Sequence, residues 1–217
     1  MKSKMINLSG LKKIKVEVGS GESPTKGYIH CDIRDLPQVD YVCNAWDLPF
    51  KENTLDEIHT RYLLEHLTRD EGGRAIKEWY SKLKNGGYVD IVVPDLNATA
   101  KLLFQPGKSK QVIHDVSNAE HAIASFYGWQ THDKDHHKWG YNLATLSALL
   151  RNVGFVHIER LPHKEIALYV RAYKPDHVKN THAKNIYLAN GSRSLLRKAK
   201  YAWNRLVFKL SKELVIK

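Results

Sequence analysis

Histidine and aspartate crowd one short stretch of the chain, His132, Asp133, Asp135, His136 and His137, with Tyr127, Trp129 and Trp139 beside them. An imidazole titrates near neutrality, so such a cluster suits proton transfer to or from a hydroxyl group. His137 or His136 is the candidate general base, with Asp133 or Asp135 orienting it; a solvated polar loop is the plainer alternative. Asp133, Asp135 and a histidine can also be imagined around a divalent ion, but the spacing matches no ligand signature, and no metal ligand is assigned. Earlier in the chain, Val16-Glu17-Val18-Gly19-Ser20-Gly21 places two glycines directly after a β-branched run, where backbone can turn sharply and approach a ligand. Asp32 ends the next apolar run, where a carboxylate can accept bonds from two ribose hydroxyls, and Asp47 follows the third. Glu65 and His66 follow the fourth. They read more readily as a helix cap and a satisfied, partly buried histidine than as catalysts. Asp95 reads as the cap of a helix starting at Leu96 or as a hydrogen-bond partner for a sugar.

Positioning these groups requires a sheet. Short apolar runs alternate with segments of helical period, the pattern of strands and helices laid against one sheet. The expected strands are Ile14 to Val18, Tyr28 to Asp32, Tyr41 to Cys43, Asp56 to Thr60, Tyr88 to Val93, Phe155 to Arg160 and Glu165 to Tyr173. Thr68 and Glu71 have capping-box spacing ahead of a helix that carries Ile76, Trp79, Tyr80 and Leu83 on one face and stops at Asn85-Gly86-Gly87. Residues 96 to about 141 read as an irregular insertion over one end of the sheet. Asn142 then caps a helix closed by Gly154. In open parallel sheets ligands bind outside the carboxyl ends of the strands, which puts the glycine turn, Asp32 and Asp47 along one edge.

The set Glu17-x-Gly19-x-Gly21, Asp32, Asp47-Leu48-Pro49-Phe50, Leu55-Asp56-Glu57-Ile58, Leu64-Glu65-His66 and Leu83-Lys84-x-Gly86-Gly87 resembles class I S-adenosylmethionine-dependent methyltransferases, most nearly the type 11 group, over about Lys13 to Tyr173. The resemblance implies a Rossmann-like α/β fold with a seven-stranded sheet, mostly parallel with an antiparallel last strand. It implies S-adenosylmethionine as cofactor, with Gly19 and Gly21 at the methionine moiety, Asp32 at the ribose, Asp47 and Leu48 at the adenine, and Glu17, Ser20, Ile33 and Arg61 also among the cofactor-binding residues. The chain departs from the pattern between Gly21 and Tyr28, where a first crossover helix does not fit. From Gly19 to Asp32 there are 13 residues, against about 20 in dinucleotide-binding folds. A nicotinamide enzyme, whose pyrophosphate needs that helix amino terminus, is disfavoured. The signature of amino methyltransferases is also absent after the fourth strand, where Arg61 and Tyr62 stand.

With 217 residues the chain bounds one domain plus an appendage. The net charge of +11 is concentrated in residues 174–217, where eleven Lys and Arg face two acids. Residues 1–175 are expected to be the methyltransferase-like domain, 176–191 a linker and 192–217 a basic amphipathic helix. In that helix Leu195, Leu196, Ala199, Trp203, Leu206 and Leu210 recur at helical spacing. It suits an anionic membrane surface, its own domain or a second subunit, and nucleic acid less well. Cys31 and Cys43 read as reduced structural thiols, and the absence of a signal peptide or spanning run gives a cytoplasmic expectation, peripheral to the membrane. The leading expectation is O-methylation of a small molecule, glycan or lipid-linked saccharide. The rivals are RNA methylation with the tail as phosphate anchor, and a binding or scaffold module without turnover.

Overall fold

The computed structural model describes residues 10–109, 116–163 and 166–176. The chain divides into two units, 1–175 and 176–217. The expected linker and amphipathic helix lie outside the described residues, Asp176 excepted.

Seven strands form one sheet: β1 (Lys15–Val18), β2 (Ile29–Asp32), β3 (Tyr41–Val42), β4 (Leu55–Arg61), β5 (Leu83–Pro94), β6 (Val156–Leu161) and β7 (Ala167–Tyr173), in the order β3-β2-β1-β4-β5-β7-β6. β1 to β5 pair in parallel, and β7 runs antiparallel between β5 and β6. The reversal follows from a short return: a strand that leaves β6 through a few residues can only pair antiparallel.

The helices are α1 (Arg69–Lys82), α2 (Leu96–Leu103), α3 (Asn118–Tyr127) and α4 (Leu143–Val153). Among the described residues no helix joins β1 to β2, β2 to β3 or β3 to β4. The alternation along the strands accounts for the lopsided result. Val16, Ile58, Val89, Ile91, Val170 and Ala172 face one way and pack with Ile76 and Trp79 of α1 and Leu146 and Leu150 of α4, all buried. On the other face the pairing register lays a polar row across four strands, Glu17 beside His59, His59 beside Asp90 and Asp90 beside Arg171. Nε and Nη2 of Arg171 donate to the two carboxylate oxygens of Asp90 at 2.7 Å each, and Tyr169 donates to the same carboxylate. Buried charge is tolerated there because each acid has a partner.

α1 begins on the expected capping box, with Thr68 and Glu71 satisfying each other's backbone. It ends earlier than expected. Leu83 is already extended at ψ 139°, and Asn85-Gly86-Gly87 lies within β5, whose pairing with β4 shifts register between Leu55 and Glu57. The helical face therefore loses Leu83, which is buried at the start of the strand. The insertion is less irregular than its sequence pattern implies, since α2 and α3 fold within it. Asp95 caps α2 through Asn97, and Ser117 with Glu120 forms a capping box on α3. α4 is capped by Asn142 and closed by Gly154 at φ 122°, as its sequence directs. No helix among the described residues is long and apolar enough to cross a membrane.

Candidate active site

The glycine turn leaves β1 at the carboxyl end of the sheet. Gly19 has φ +70°, a left-handed conformation that disfavours side chains, and an added Cβ would come within 2.9 Å of both methyls of Leu63. Gly19 and Ser20 donate backbone N–H groups to Cys31, which ties the turn to β2. Asp32 closes it. One carboxylate oxygen accepts the Gly21 N–H at 2.9 Å and the other accepts the Arg34 N–H at 2.9 Å. A carboxylate offers about four lone-pair sites, so capacity remains for a ligand.

These groups open onto a hollow of about 290 Å³, at the small end of ligand pockets of roughly 300–1,000 Å³. Gly19, Asp32 and Ile33 are in its wall, as are Asn44, Ala45, Trp46, Leu63 and His66. Ile33 is 55% exposed, an apolar side chain left uncovered at the mouth. Asp47 and Leu48 do not stand in the wall. The chain turns from Asn44 to Asp47, where the N–H of residue 47 donates to the carbonyl of 44. Asp47 thereby faces solvent, while Leu48 is buried with its N–H donated to Glu78. Residues 44–46 stand in the wall where Asp47 and Leu48 were expected. Trp79 fixes this turn from below, its indole Nε1 donating to the carbonyl of Ala45 at 2.8 Å.

Glu17, Ser20, Gly21 and Arg61 are not among the lining residues either. Glu17 is 1% exposed and holds the turn from behind, accepting from the N–H and hydroxyl of Thr25, with Arg61 at 3.5 Å. Arg61 also donates to the carbonyl of Ser23. They brace the loop that takes the place of the missing crossover helix. The buried hydroxyl of Ser20 has no hydrogen-bond partner.

A second hollow, about 280 Å³, adjoins the first. Its wall includes Glu65, His121, Trp129 and His137, and Tyr62, His66 and Asp135 border both. Tyr62 takes φ +52°, an outlier for a bulky residue and a kind of strain that gathers at functional sites. Of the residues expected to do chemistry, His137 lines the second hollow, whereas His136 and Asp133 line neither and are exposed. No histidine–aspartate pair forms among 132–137. Asp135 instead accepts from the N–H and hydroxyl of Thr131, because a tight turn brings those donors closer than any imidazole.

Glu65 departs most from expectation, whereas His66 is the partly buried, hydrogen-bonded histidine expected. They sit in a short 3-10 turn, Leu64–His66, and cap nothing. Glu65 is 2% exposed, and neither carboxylate oxygen meets a donor from another residue, so burial pushes its pKa up to about 8. Burial, with the repulsion that protonated His66 and His137 would exert on each other, lowers His66 to about 4. Burial also lowers His137. Both imidazoles are therefore neutral at pH 7. His66 directs Nδ1 at the carbonyl of His136 at 3.2 Å, and His137 directs Nδ1 at the carbonyl of Ser125 at 2.9 Å. A carbonyl only accepts, so in each ring the hydrogen sits on Nδ1 and the Nε2 lone pair is free to act. The rings lie 4.8 Å apart, edge to face. Sequence reasoning passed over Glu65 because its signal, a carboxylate within the apolar run Leu63 to Leu67, marks burial and says nothing of partners.

Comparison with known proteins agrees with this geometry. A methyltransferase-domain family model matches residues 23–91. A solved structure described as a SAM-dependent methyltransferase from Thermotoga maritima superposes with a TM-score of 0.50 at 17% identity, over 76% of this chain and 83% of that one. A SAM-dependent methyltransferase from Archaeoglobus fulgidus gives 0.50 at 15% identity, over 75% and 86%. The fold is that of the class I S-adenosylmethionine-dependent methyltransferases. No curated protein matches its sequence. The first hollow suits the methyltransferase cofactor: a cradle that a Cβ at Gly19 would crowd, an acid on β2 able to accept from vicinal hydroxyls, and Asn44, Ala45 and Trp46 in the wall. The methyltransferase fold is complete at its carboxyl edge without the first crossover helix, because Glu17, Thr25 and Arg61 hold the connecting loop by side-chain bonds.

Proposed function

We propose that this methyltransferase acts on a hydroxyl group of a sugar, carried on a small molecule, a glycan or a lipid-linked saccharide, with the cofactor in the first hollow and the acceptor in the second. The observation that carries the reading is the shared wall: His66 borders both cavities, and both His66 and His137 line the second, each with Nδ1 engaged by a backbone carbonyl so that Nε2 is the basic nitrogen. S-adenosylmethionine supplies a methyl group already activated on a positively charged sulfur. The chain's own task is alignment and proton removal. The first hollow would hold the cofactor, the second would align the acceptor hydroxyl with its methyl group, and a histidine Nε2 would take up the hydroxyl proton. Trp129, stacked on His121 at 6.2 Å and 45% exposed, offers a flat face on which a pyranose can lie.

The reading predicts transfer of labelled methyl groups to soluble saccharides, with His137→Ala lowering kcat by about 10²- to 10⁴-fold. Cofactor affinity should change little, because His137 lines only the second hollow. Labelling of RNA or protein with no transfer to any saccharide would overturn it. The basic tail, residues 192–217, supports a place at an anionic membrane surface on the cytoplasmic side. The full chain should then float with vesicles containing phosphatidylserine in low salt and a chain ending at residue 191 should not; equal flotation of the two removes the membrane from the proposal.

A further inference from the structure

We infer that Glu65, His66 and His137 form a binding site for one divalent transition-metal ion of the zinc type, with open coordination positions facing the second hollow. One ligand atom from each lies within 4.8 Å of the others. Donors around a tetrahedral zinc at bonds of about 2.0–2.1 Å stand roughly 3.3 Å apart, so modest side-chain rotation closes the set.

Three further features point the same way. The Glu65 carboxylate is buried without a donor for either oxygen. An orphaned carboxylate is costly, and a cation is the partner that would satisfy both oxygens together. Each imidazole is fixed through Nδ1 to a backbone carbonyl, which is the outer support that orients metal-binding histidines and leaves Nε2 as the donor. The backbone also joins the two segments that carry the ligands. The carbonyl of Glu65 accepts N–H groups from Lys138 at 2.7 Å and Trp139 at 3.2 Å, and the N–H of His137 donates to Tyr127. The turn after β4 and the insertion are thereby held in register before any ion arrives.

Two imidazoles and one carboxylate are the ligand types of three-ligand catalytic zinc centres, in which the remaining position takes water or substrate oxygen. Here that position opens to the second hollow, where an acceptor hydroxyl bound to the ion would lose its proton to water near neutral pH, in place of transfer to a histidine. This chemical role rests on the hollow being the acceptor's seat. The binding of the ion does not.

The test is therefore made without cofactor or acceptor. The full chain, stripped with a chelator and dialysed, is titrated with zinc chloride by calorimetry and with cobalt chloride by visible absorption. The expected result is one tight site per chain and a cobalt spectrum of low coordination number. Glu65→Gln and His137→Ala should each weaken zinc by about 100-fold or more, while His157→Ala, on an exposed strand position, leaves it unchanged. Circular dichroism melts of the metal-free variants confirm that each is folded. Absence of stoichiometric binding by the wild type, or equal affinity in folded Glu65→Gln and His137→Ala, overturns the site. If zinc binds as expected while no saccharide is methylated, the site stands and the acceptor assignment falls.

Discussion

Asp32→Ala should lower the affinity for S-adenosylmethionine by about 100-fold or more, read by calorimetry on the folded protein. Hydrogen bonds to a charged group contribute roughly 1.5–3 kcal/mol each, and about 2.7 kcal/mol is 100-fold. Asp32 combines two such roles. It stands in the wall of the first hollow, and its two oxygens already hold the N–H groups of Gly21 and Arg34. Truncation thus removes the acceptor for a ribose and releases two donors that keep the glycine turn in shape. Asp32→Asn separates the effects, since the amide keeps one acceptor oxygen and loses the charge. An intermediate affinity is expected for it, with a melting temperature below that of the wild type, because the amide nitrogen cannot accept from one of the two N–H groups. Wild-type affinity in Asp32→Ala would mean that the cofactor does not occupy this hollow.

Trp79→Ala should cost about 3–5 kcal/mol, a large part of the roughly 5–15 kcal/mol that holds a domain folded. Trp79 is fully buried on α1 beneath the apolar face of the sheet, among Val16, Ile58 and Ile76 in one contiguous core. Its removal leaves a cavity that cannot collapse, because the strands around it are tied by their ladders. It also leaves the carbonyl of Ala45 without the indole N–H. Urea denaturation should show the midpoint falling by roughly 1–3 M. Trp79→Phe distinguishes packing from anchoring. Most apolar area remains, so stability should fall by less than half as much. The 44–46 turn nevertheless loses its tether, and cofactor affinity should drop several-fold. Unchanged affinity in Trp79→Phe would show that the turn is held in place without the indole.

Local patterning reached the parts of this molecule that depend on neighbours in sequence. The capping boxes of α1 and α4, the glycine turn after β1 and the alternation of the strands are properties of segments a few residues long, and they fold as their side chains direct. The departures have equally definite causes. Asp47 was the obvious acid after the third strand, yet the turn from Asn44 to Asp47 carries it to the surface and leaves Asn44, Ala45 and Trp46 in the wall. Asp95 marked the start of α2 in advance, but the insertion conceals the extent of α2 and the whole of α3, because short helices with mixed faces carry little periodic signal.

The chain's residue order by itself determined the sheet-forming runs, the bend at Gly19, the acid at Asp32 and the overall resemblance to a methyl-transferring domain. It also set the segregation of positive charge into residues 174–217. Only the tertiary structure decided which polar groups meet: Glu65 and His66 with His137, some seventy positions further along, in place of the expected histidine–aspartate pairs within 132–137. The physical reason is that a backbone bend or an amphipathic face is fixed by contacts between near neighbours, whereas the company of a buried carboxylate is fixed by whichever distant segment the packed sheet brings against it.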